Sequence, residues 1–163
     1  MESLKAKNSL FIICPFCQLE NYLRTNFGDD IYFMTSTAGV LFFWADELPS
    51  IKEFIEREKI QNIYLVNDLG CNFIEEAIIG KKEFGMNAEQ QLRKLLQNIQ
   101  PKITNEVSLH ETKRIVAKLN LHQQKKYLAS LNIVNHEVEN LEVKIHTIII
   151  DKDQSISNNF TLN

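Results

Sequence analysis

Residues 10–17 read Leu-Phe-Ile-Ile-Cys-Pro-Phe-Cys, a short apolar run that ends in a proline and two cysteines. The run is too short for an amphipathic helix, and apolar residues at helical spacing begin only after it, from Gln18 to Asn26. The pattern therefore predicts a buried strand that carries the thiols of Cys14 and Cys17 into a loop.

A second apolar run, residues 63–66, is followed at residues 67–71 by Asn-Asp-Leu-Gly-Cys and then by another helical segment. If the two strands are parallel neighbours, both cysteine loops lie at the carboxyl edge of one sheet. Open α/β sheets bind their ligands at that edge. We therefore expect the functional site where Cys14, Cys17 and Cys71 leave the sheet.

The rest of the chain continues this alternation of strands and helices. Apolar spacing predicts helices at 49–59, 73–79, 87–99 and 108–131, and further strands at 31–34 and 143–150. Asn87 with Gln90, and Ser108 with Glu111, have the spacing of a helix-capping box. The order predicts an α/β fold, a mostly parallel sheet with flanking helices and an extra C-terminal strand.

Residues 40–44, Val-Leu-Phe-Phe-Trp, leave two interpretations open. They form either a core segment, such as a continuation of the strand before them, or an aromatic surface at an interface or over the site.

The composition fits one globular domain, residues 1–163, with a polar tail at 151–163, and 44% hydrophobic residues supply its core. The net charge is -3 and the basic residues are scattered, which argues against a nucleic-acid partner. No run approaches the roughly 20 apolar residues of a membrane span, and the first apolar run is too short for a signal peptide. We expect a cytoplasmic protein with reduced cysteines.

Several landmarks along the chain resemble those of the β class of carbonic anhydrases. Cys14 follows the first strand, as that family's first cysteine does, and residues 28–29, Gly-Asp, match its turn before the second strand. Ala38 and Gly39 match the end of the second strand, and Cys71 matches the last cysteine.

The downstream part of the chain carries the same resemblance. Residues 120–124, Asn-Leu-His-Gln-Gln, with Leu128 four residues on, are similar to the family's Asn-Val-x-x-Gln-Val-x-x-Leu helix. Residues 143–151 resemble its final strand. The resemblance thus covers nearly the whole chain from Leu10 and implies the family's fold.

The catalytic positions agree far less with that family, whose zinc is held by two cysteines and a histidine. The histidine falls on Asp68, and the Asp and Arg that orient the metal's water fall on Phe16 and Gln18. The Arg of the Arg-Asn-Ala-Gly motif falls on Ser36, and the Gly after the last cysteine falls on Asn72. Since hydration depends on both the ligands and the groups behind them, the resemblance implies a scaffold whose active site is rewritten.

Zinc binding remains one hypothesis for this edge. Cys14, Asp68 and Cys71 are acceptable zinc ligands, and Cys17 is near enough in sequence to be a fourth. The competing interpretation is that the cysteines are small buried residues at strand ends. Ser36, Ala38 and Gly39 are the pocket residues that the resemblance implies.

A redox function is another alternative, because a strand followed by Cys-Pro-Phe-Cys and a helix is how glutaredoxin-like oxidoreductases begin. There, Cys14 would attack a disulfide and Cys17 would resolve the product. Those enzymes also need a cis-proline strand facing the thiols, whereas Pro49 starts a helix and Pro101 ends one. The four histidines do not cluster along the sequence.

The leading hypothesis is a β-carbonic-anhydrase-like protein that has lost carbon dioxide hydration and serves a binding or regulatory role. The enzymatic alternative is a zinc-dependent hydratase with an unusual Cys14/Asp68/Cys71 ligand set. For the binding or regulatory role, the expected ligand is a small anion or another small molecule. The resemblance implies a homodimer, and residues 42–44 are the candidate contact with its second copy.

Overall fold

The computed structural model describes residues 6–80, 83–99, 107–131 and 143–152. In these ranges the strands are β1 (Ser9–Ile13), β2 (Ile31–Thr35), β3 (Asn62–Asp68) and β4 (Lys144–Ile150). The helices are α1 (Glu20–Phe27), α2 (Leu48–Arg57), α3 (Asn72–Ile79), α4 (Asn87–Ile99) and α5 (Leu109–Ser130). A 3-10 turn, Thr37–Gly39, follows β2.

The described strands form one sheet in the order β2-β1-β3-β4, and every neighbouring pair is parallel. The chain leaves β1 for β2 on one side and then crosses to β3 on the other. The carboxyl ends of β1 and β3 therefore meet where the direction of winding reverses, which is the usual ligand position in open α/β sheets. The predicted fold class, a parallel sheet with flanking helices, is confirmed.

Helices cover both faces of the sheet because the strands are apolar on both faces. Along β1, Phe11 and Ile13 belong to one buried cluster, with residues of α1, α3 and α4. Leu10 and Ile12 belong to the other, with residues of α2 and α5. This alternation follows the two-residue period of a strand, and it leaves the loops at the sheet's carboxyl edge to build the site.

Residues 40–44 are neither a strand nor a fully buried core segment. Their backbone runs in irregular form beside α5, where Leu41 N–H donates to Gln124 Oε1 at 2.9 Å and Phe43 N–H to the Tyr127 hydroxyl at 3.3 Å. Helix side chains thus satisfy N–H groups that a strand would have paired in a sheet. Leu41 is buried, whereas Phe42 and Trp44 are exposed.

The predicted start of α1 is displaced by two residues. Helix α1 begins at Glu20 and not at Gln18, because Gln18 has a φ of 50°, outside the helical region. Helix α4 begins at residue 87, as predicted, but Asn87 is already helical and Gln90 N–H bonds to Met86 O, so Asn87 is not the cap of this helix. The Ser108 cap of α5 is confirmed, with Ser108 Oγ accepting from Glu111 N–H at 3.2 Å.

The residues expected to stop α4, at Pro101, and to form most of the polar tail, 153–163, lie outside the described ranges. Among the helices that the structure describes, none combines the length and the apolar character needed to cross a membrane.

Candidate metal centre

Two loops bring three cysteines to the carboxyl edge of the sheet. Cys14 directly follows β1, and the chain then turns so that Cys17 N–H donates to Cys14 O at 3.1 Å. Cys71 follows β3 and precedes the first residue of α3, and its N–H donates to Asp68 O at 3.0 Å. Because β1 and β3 are neighbours, these turns place the three side chains together.

The three cysteine sulfurs form a compact buried cluster. Their Sγ atoms all lie within 4.8 Å of one another, and the Cys14 and Cys71 Sγ atoms are 3.7 Å apart. In a tetrahedral zinc site with Zn–S bonds of about 2.3 Å, neighbouring sulfurs are about 3.8 Å apart. The spacing and the donor type therefore fit a zinc ion, with Cys14, Cys17 and Cys71 as its protein ligands.

The cluster distributes protons unequally among its thiols. Hydrogen bonds from the Cys17 and Cys71 thiols, aided by the N–H groups of Ala38 and Phe16, outweigh burial and lower the pKa of Cys14 to about 3. The hydrogen bond to Cys14 is the largest cause that raises the pKa of Cys17. The hydrogen bond to Cys14 and burial together raise the pKa of Cys71 to about 11, although a hydrogen bond with Cys17 opposes them. The surroundings thus stabilise negative charge on the Cys14 sulfur, which is the form that binds metals.

Asp68, the predicted third ligand, has other partners. Its Oδ1 accepts from Gly70 N–H at 2.8 Å, and its Oδ2 lies 3.1 Å from Lys152 Nζ. Among the described residues, the group of side chains close enough to share a metal consists of cysteines, with Cys17 in the third place. Cys17, the predicted fourth ligand, therefore lies together with Cys14 and Cys71. Asp68, the predicted third ligand, instead pairs with Lys152.

The predicted pocket residues form a turn beside Cys14. Ser36 Oγ donates to Val40 O, and Ala38 and Gly39 are buried within the 3-10 turn that follows. Ala38 has a φ of 54° and Gly39 a φ of 67°, so the backbone coils tightly and directs the Ala38 N–H towards the Cys14 sulfur. The turn therefore packs against the cysteine cluster on the side of Cys14.

A buried amide network behind the cluster fixes this turn. Asn67 Nδ2 and Asn120 Nδ2 both donate to Ala38 O, at 2.8 and 3.0 Å, and Asn120 Nδ2 also donates to Asn67 Oδ1. Gln124 Nε2 donates to Asn120 Oδ1 at 3.2 Å. Asn120 and Gln124 belong to the helix motif that carried the family resemblance, so the motif marks residues that support the site.

The two positions of the family's water-orienting pair carry no equivalent chemistry. Phe16 is 63% exposed and stacks on Phe73, with ring centroids 6.2 Å apart. Gln18 is exposed in the left-handed conformation.

The described histidines lie apart from the cysteines. His110 pairs with Asp151 at 3.1 Å, His146 contacts Asn62 Oδ1 at 3.0 Å, and His122 is exposed. His136 lies outside the described residues. The sequence-based prediction missed Lys152, for which no motif offered a signal.

Known structures share this fold. No protein-family model and no curated protein matches the sequence. A β-carbonic anhydrase of Aspergillus fumigatus superposes with a TM-score of 0.75 at 16% identity, over 98% of this chain and 76% of the other. The Coccomyxa β-carbonic anhydrase in complex with acetazolamide gives 0.71 at 15% identity, over 95% and 72%.

One of two tetrameric β-carbonic anhydrases from Sordaria macrospora gives a TM-score of 0.70 at 17% identity, over 90% of this chain and 77% of the other. The chain therefore has a β-carbonic-anhydrase-like fold, as its sequence landmarks implied. At these identities the likeness establishes the fold alone.

Proposed function

We propose that this β-carbonic-anhydrase-like protein binds one zinc ion through Cys14, Cys17 and Cys71, has lost carbon dioxide hydration, and uses the site for a binding or regulatory role. The observation that carries the proposal is the cluster of three buried sulfurs, with Cys14 and Cys71 Sγ atoms 3.7 Å apart. A three-sulfur set leaves a fourth tetrahedral position for an external ligand, and a small anion or small molecule is the class that we propose.

The ligand set supports loss of hydration. Bound zinc supplies a Lewis acid that lowers the pKa of a coordinated water. Three thiolates donate more negative charge than the two cysteines and one histidine of the resembled family, so the ion they hold is a weaker acid. The cluster can therefore retain a metal while losing the chemistry that the family draws from it.

The surrounding residues support the same conclusion. Phe16 has no polar atom in its side chain with which to orient a water, and its ring is 63% exposed. The Asp68 carboxylate is already engaged by Gly70 N–H and Lys152 Nζ, so it is not free to take the family's role of orienting a water. Groups that would hold and deprotonate the water are thus replaced or committed elsewhere.

The test combines metal content with a hydration assay on wild type, Cys17→Ser and Asp68→Asn. We expect about one zinc per chain in wild type, loss of most of it in Cys17→Ser, retention in Asp68→Asn, and no hydration above the uncatalysed rate. A Cys14/Asp68/Cys71 hydratase predicts the opposite pattern: Asp68→Asn loses zinc and activity, and Cys17→Ser keeps both. Robust hydration by the wild-type protein would refute the proposed loss of activity.

The redox alternative is less well supported by the geometry. Attack on a disulfide needs an accessible nucleophile, whereas Cys14 is 2% exposed and its Sγ lies within 4.8 Å of the two other sulfurs. Its test is whether Cys17→Ser traps a mixed disulfide on Cys14. We expect no such adduct.

We also propose self-association as a homodimer through Phe42 and Trp44. These side chains are 50% and 63% exposed, and their rings contact edge to face with centroids 5.0 Å apart. Paired exposed aromatic residues are typical of interface cores. The likeness to a tetrameric β-carbonic anhydrase is compatible with this proposal.

A further inference from the structure

We propose that Asp68 and Lys152 act as a positioning pair that holds Cys17 in the third ligand place of the cysteine cluster. The inference rests on the proposed metal-binding function and assigns to Asp68 a role different from that of a ligand. It also gives a role to a lysine that belongs to none of the sequence motifs.

The geometry of Lys152 carries the first step. Lys152 lies two residues beyond the end of β4, and its Nζ reaches back across the carboxyl edge of the sheet. There it lies 3.1 Å from Asp68 Oδ2 and donates to the backbone oxygen of Cys17 at 3.3 Å. One ammonium group thus joins the loop after β1 to the loop after β3.

Asp68 is a fixed anchor for that ammonium group. Its side chain is 3% exposed, and its Oδ1 accepts from Gly70 N–H at 2.8 Å. Its backbone oxygen accepts from Cys71 N–H at 3.0 Å. Asp68 therefore holds both Lys152 and the turn that carries Cys71. Through Lys152 and Asp68, a continuous series of contacts joins the backbone of Cys17 to the backbone of Cys71.

Cys17 is the cysteine that most needs such a contact. Cys14 directly follows a central strand and Cys71 directly precedes a helix, whereas Cys17 lies in a loop. The next residue, Gln18, has a φ of 50°, a left-handed conformation that is unfavourable for a non-glycine residue. A loop with this cost keeps its shape only when other contacts hold it. The Lys152 hydrogen bond to the Cys17 carbonyl is one of them.

The charge of Lys152 also suits the site. Three thiolates around a divalent cation carry a net negative charge, and Asp68 adds another beside it. A lysine ammonium at the rim offsets this charge without competing for the metal, because it has no lone pair to donate. Lys152 can therefore support both the position of Cys17 and the anionic complex.

The experiment measures how fast each cysteine of the metal-free full chain reacts with iodoacetamide, resolved by peptide mass spectrometry. The variants are Lys152→Met, which removes the ammonium, and Lys152→Arg, which keeps a cationic donor. Lys144→Met is the matched control, because it removes an exposed lysine from the opposite end of β4.

We expect Lys152→Met to raise the rate at Cys17 about three- to fivefold relative to Cys14 and Cys71, the range that opening one half-exposed ion pair allows. Lys152→Arg restores a near wild-type rate, and Lys144→Met leaves it unchanged. The direction of the rate change at Cys17 distinguishes the two effects of the substitution. Loss of the positive charge alone would disfavour the thiolate and slow alkylation, whereas release of the Cys17 loop speeds it. Slower or unchanged alkylation of Cys17 in Lys152→Met overturns the inference.

Cobalt(II) binding separates this inference from the proposed function. In Lys152→Met we expect cobalt(II), followed by its thiolate-to-cobalt absorption, to bind about three- to fivefold more weakly than in wild type, because Cys17 is no longer held in its ligand place before the metal binds. Wild-type protein that binds no metal refutes the proposed function, and the alkylation result still decides the role of Lys152.

Discussion

At the scale of single residues, the turn beside the cysteines depends on positions that tolerate little change. Gly39 has a φ of 67°, and a Cβ atom there would lie 2.8 Å from Asn67 Nδ2 and 3.3 Å from Val66 O. Gly85 has a similar φ of 68°, but a Cβ atom there would meet nothing within 4 Å. Alanine at Gly85 therefore introduces backbone strain alone, whereas alanine at Gly39 introduces the same strain together with a steric clash.

We predict that Gly39→Ala lowers the free energy of unfolding by about 2–4 kcal/mol and Gly85→Ala by about 1–2 kcal/mol. The difference is the cost of displacing Asn67, which also bonds to Ala38. Urea denaturation of both variants measures it. If both variants lost the same free energy of unfolding, displacing Asn67 would have no energetic cost, and this prediction would be wrong.

The site could be predicted only in part from individual residues. The sequence indicated that Cys14 and Cys71 share one sheet edge, because each lies in the loop that follows an apolar run. It could not rank Cys17 against Asp68 as the third member, since that depends on the turn after Cys14 and on where the Asp68 side chain points. Lys152 was not predictable, because its role arises only where distant parts of the chain meet.

At the scale of elements, helix α5 carries both the amide network and the hydrogen bonds to residues 40–44. Its first turn is capped by Ser108 Oγ, which accepts from Glu111 N–H at 3.2 Å. We predict that Ser108→Ala lowers the free energy of unfolding by about 1 kcal/mol, because a helix donor loses its acceptor. Gln123→Ala, at an exposed position of the same helix, is the control and should change it by less than about 0.5 kcal/mol. Chemical denaturation compares them, and a loss no greater than that of the control would contradict the capping role.

Helix α4 supplies a pH-dependent contribution through Glu89. Burial alone would raise the pKa of Glu89, but hydrogen bonds from Arg93 and from the N–H groups of Phe84 and Gly85 outweigh it and lower the pKa below its usual 4.5. A carboxyl whose pKa is depressed by folding stabilises the fold above the unfolded pKa. That contribution is lost as the pH falls through the folded pKa.

We therefore predict that wild-type protein loses more stability than Glu89→Gln when the pH is lowered from 7 to below about 4.5. Glu53→Gln, an exposed carboxylate on α2, should keep the wild-type pH dependence. Urea denaturation across this pH range gives the comparison. Parallel curves for wild type and Glu89→Gln would rule out the contribution.

Elements were easier to predict than their boundaries. Periodic apolar residues indicated the strands and helices in the right order, because burial on a strand or helix imposes that period. Residues 40–44 have strand-forming side chains, yet Gln124 and Tyr127 of α5 take their N–H groups. The competing partners lie about 80 residues away, so local sequence could not reveal them.

At the scale of the whole molecule, the fold was predictable from sequence although much of the site was not. Two-sided apolar strands separated by helices determine a parallel sheet, and many residue combinations satisfy that requirement. Asn120 donates to Ala38 O in the turn beside Cys14, and Gln124 donates to Asn120, so these two motif residues support that turn.

The proposed dimer gives a prediction at this scale. Replacing Phe42 and Trp44 together with serine should shift the solution mass from dimer towards monomer, measured by light scattering at several protein concentrations. Phe43→Leu is the control, because Phe43 stacks on Tyr127 within its own chain. An unchanged mass for the double variant would exclude this surface as the interface.

The central claim is that a β-carbonic-anhydrase-like fold here carries an all-cysteine metal centre. The most direct test is the zinc content per chain, by plasma mass spectrometry, of wild-type and Cys17→Ser protein purified without chelator or affinity tag. We predict about one zinc per wild-type chain and a loss of most of it in Cys17→Ser. A folded wild-type protein without zinc, or a Cys17→Ser variant that retains it in full, would contradict the claim.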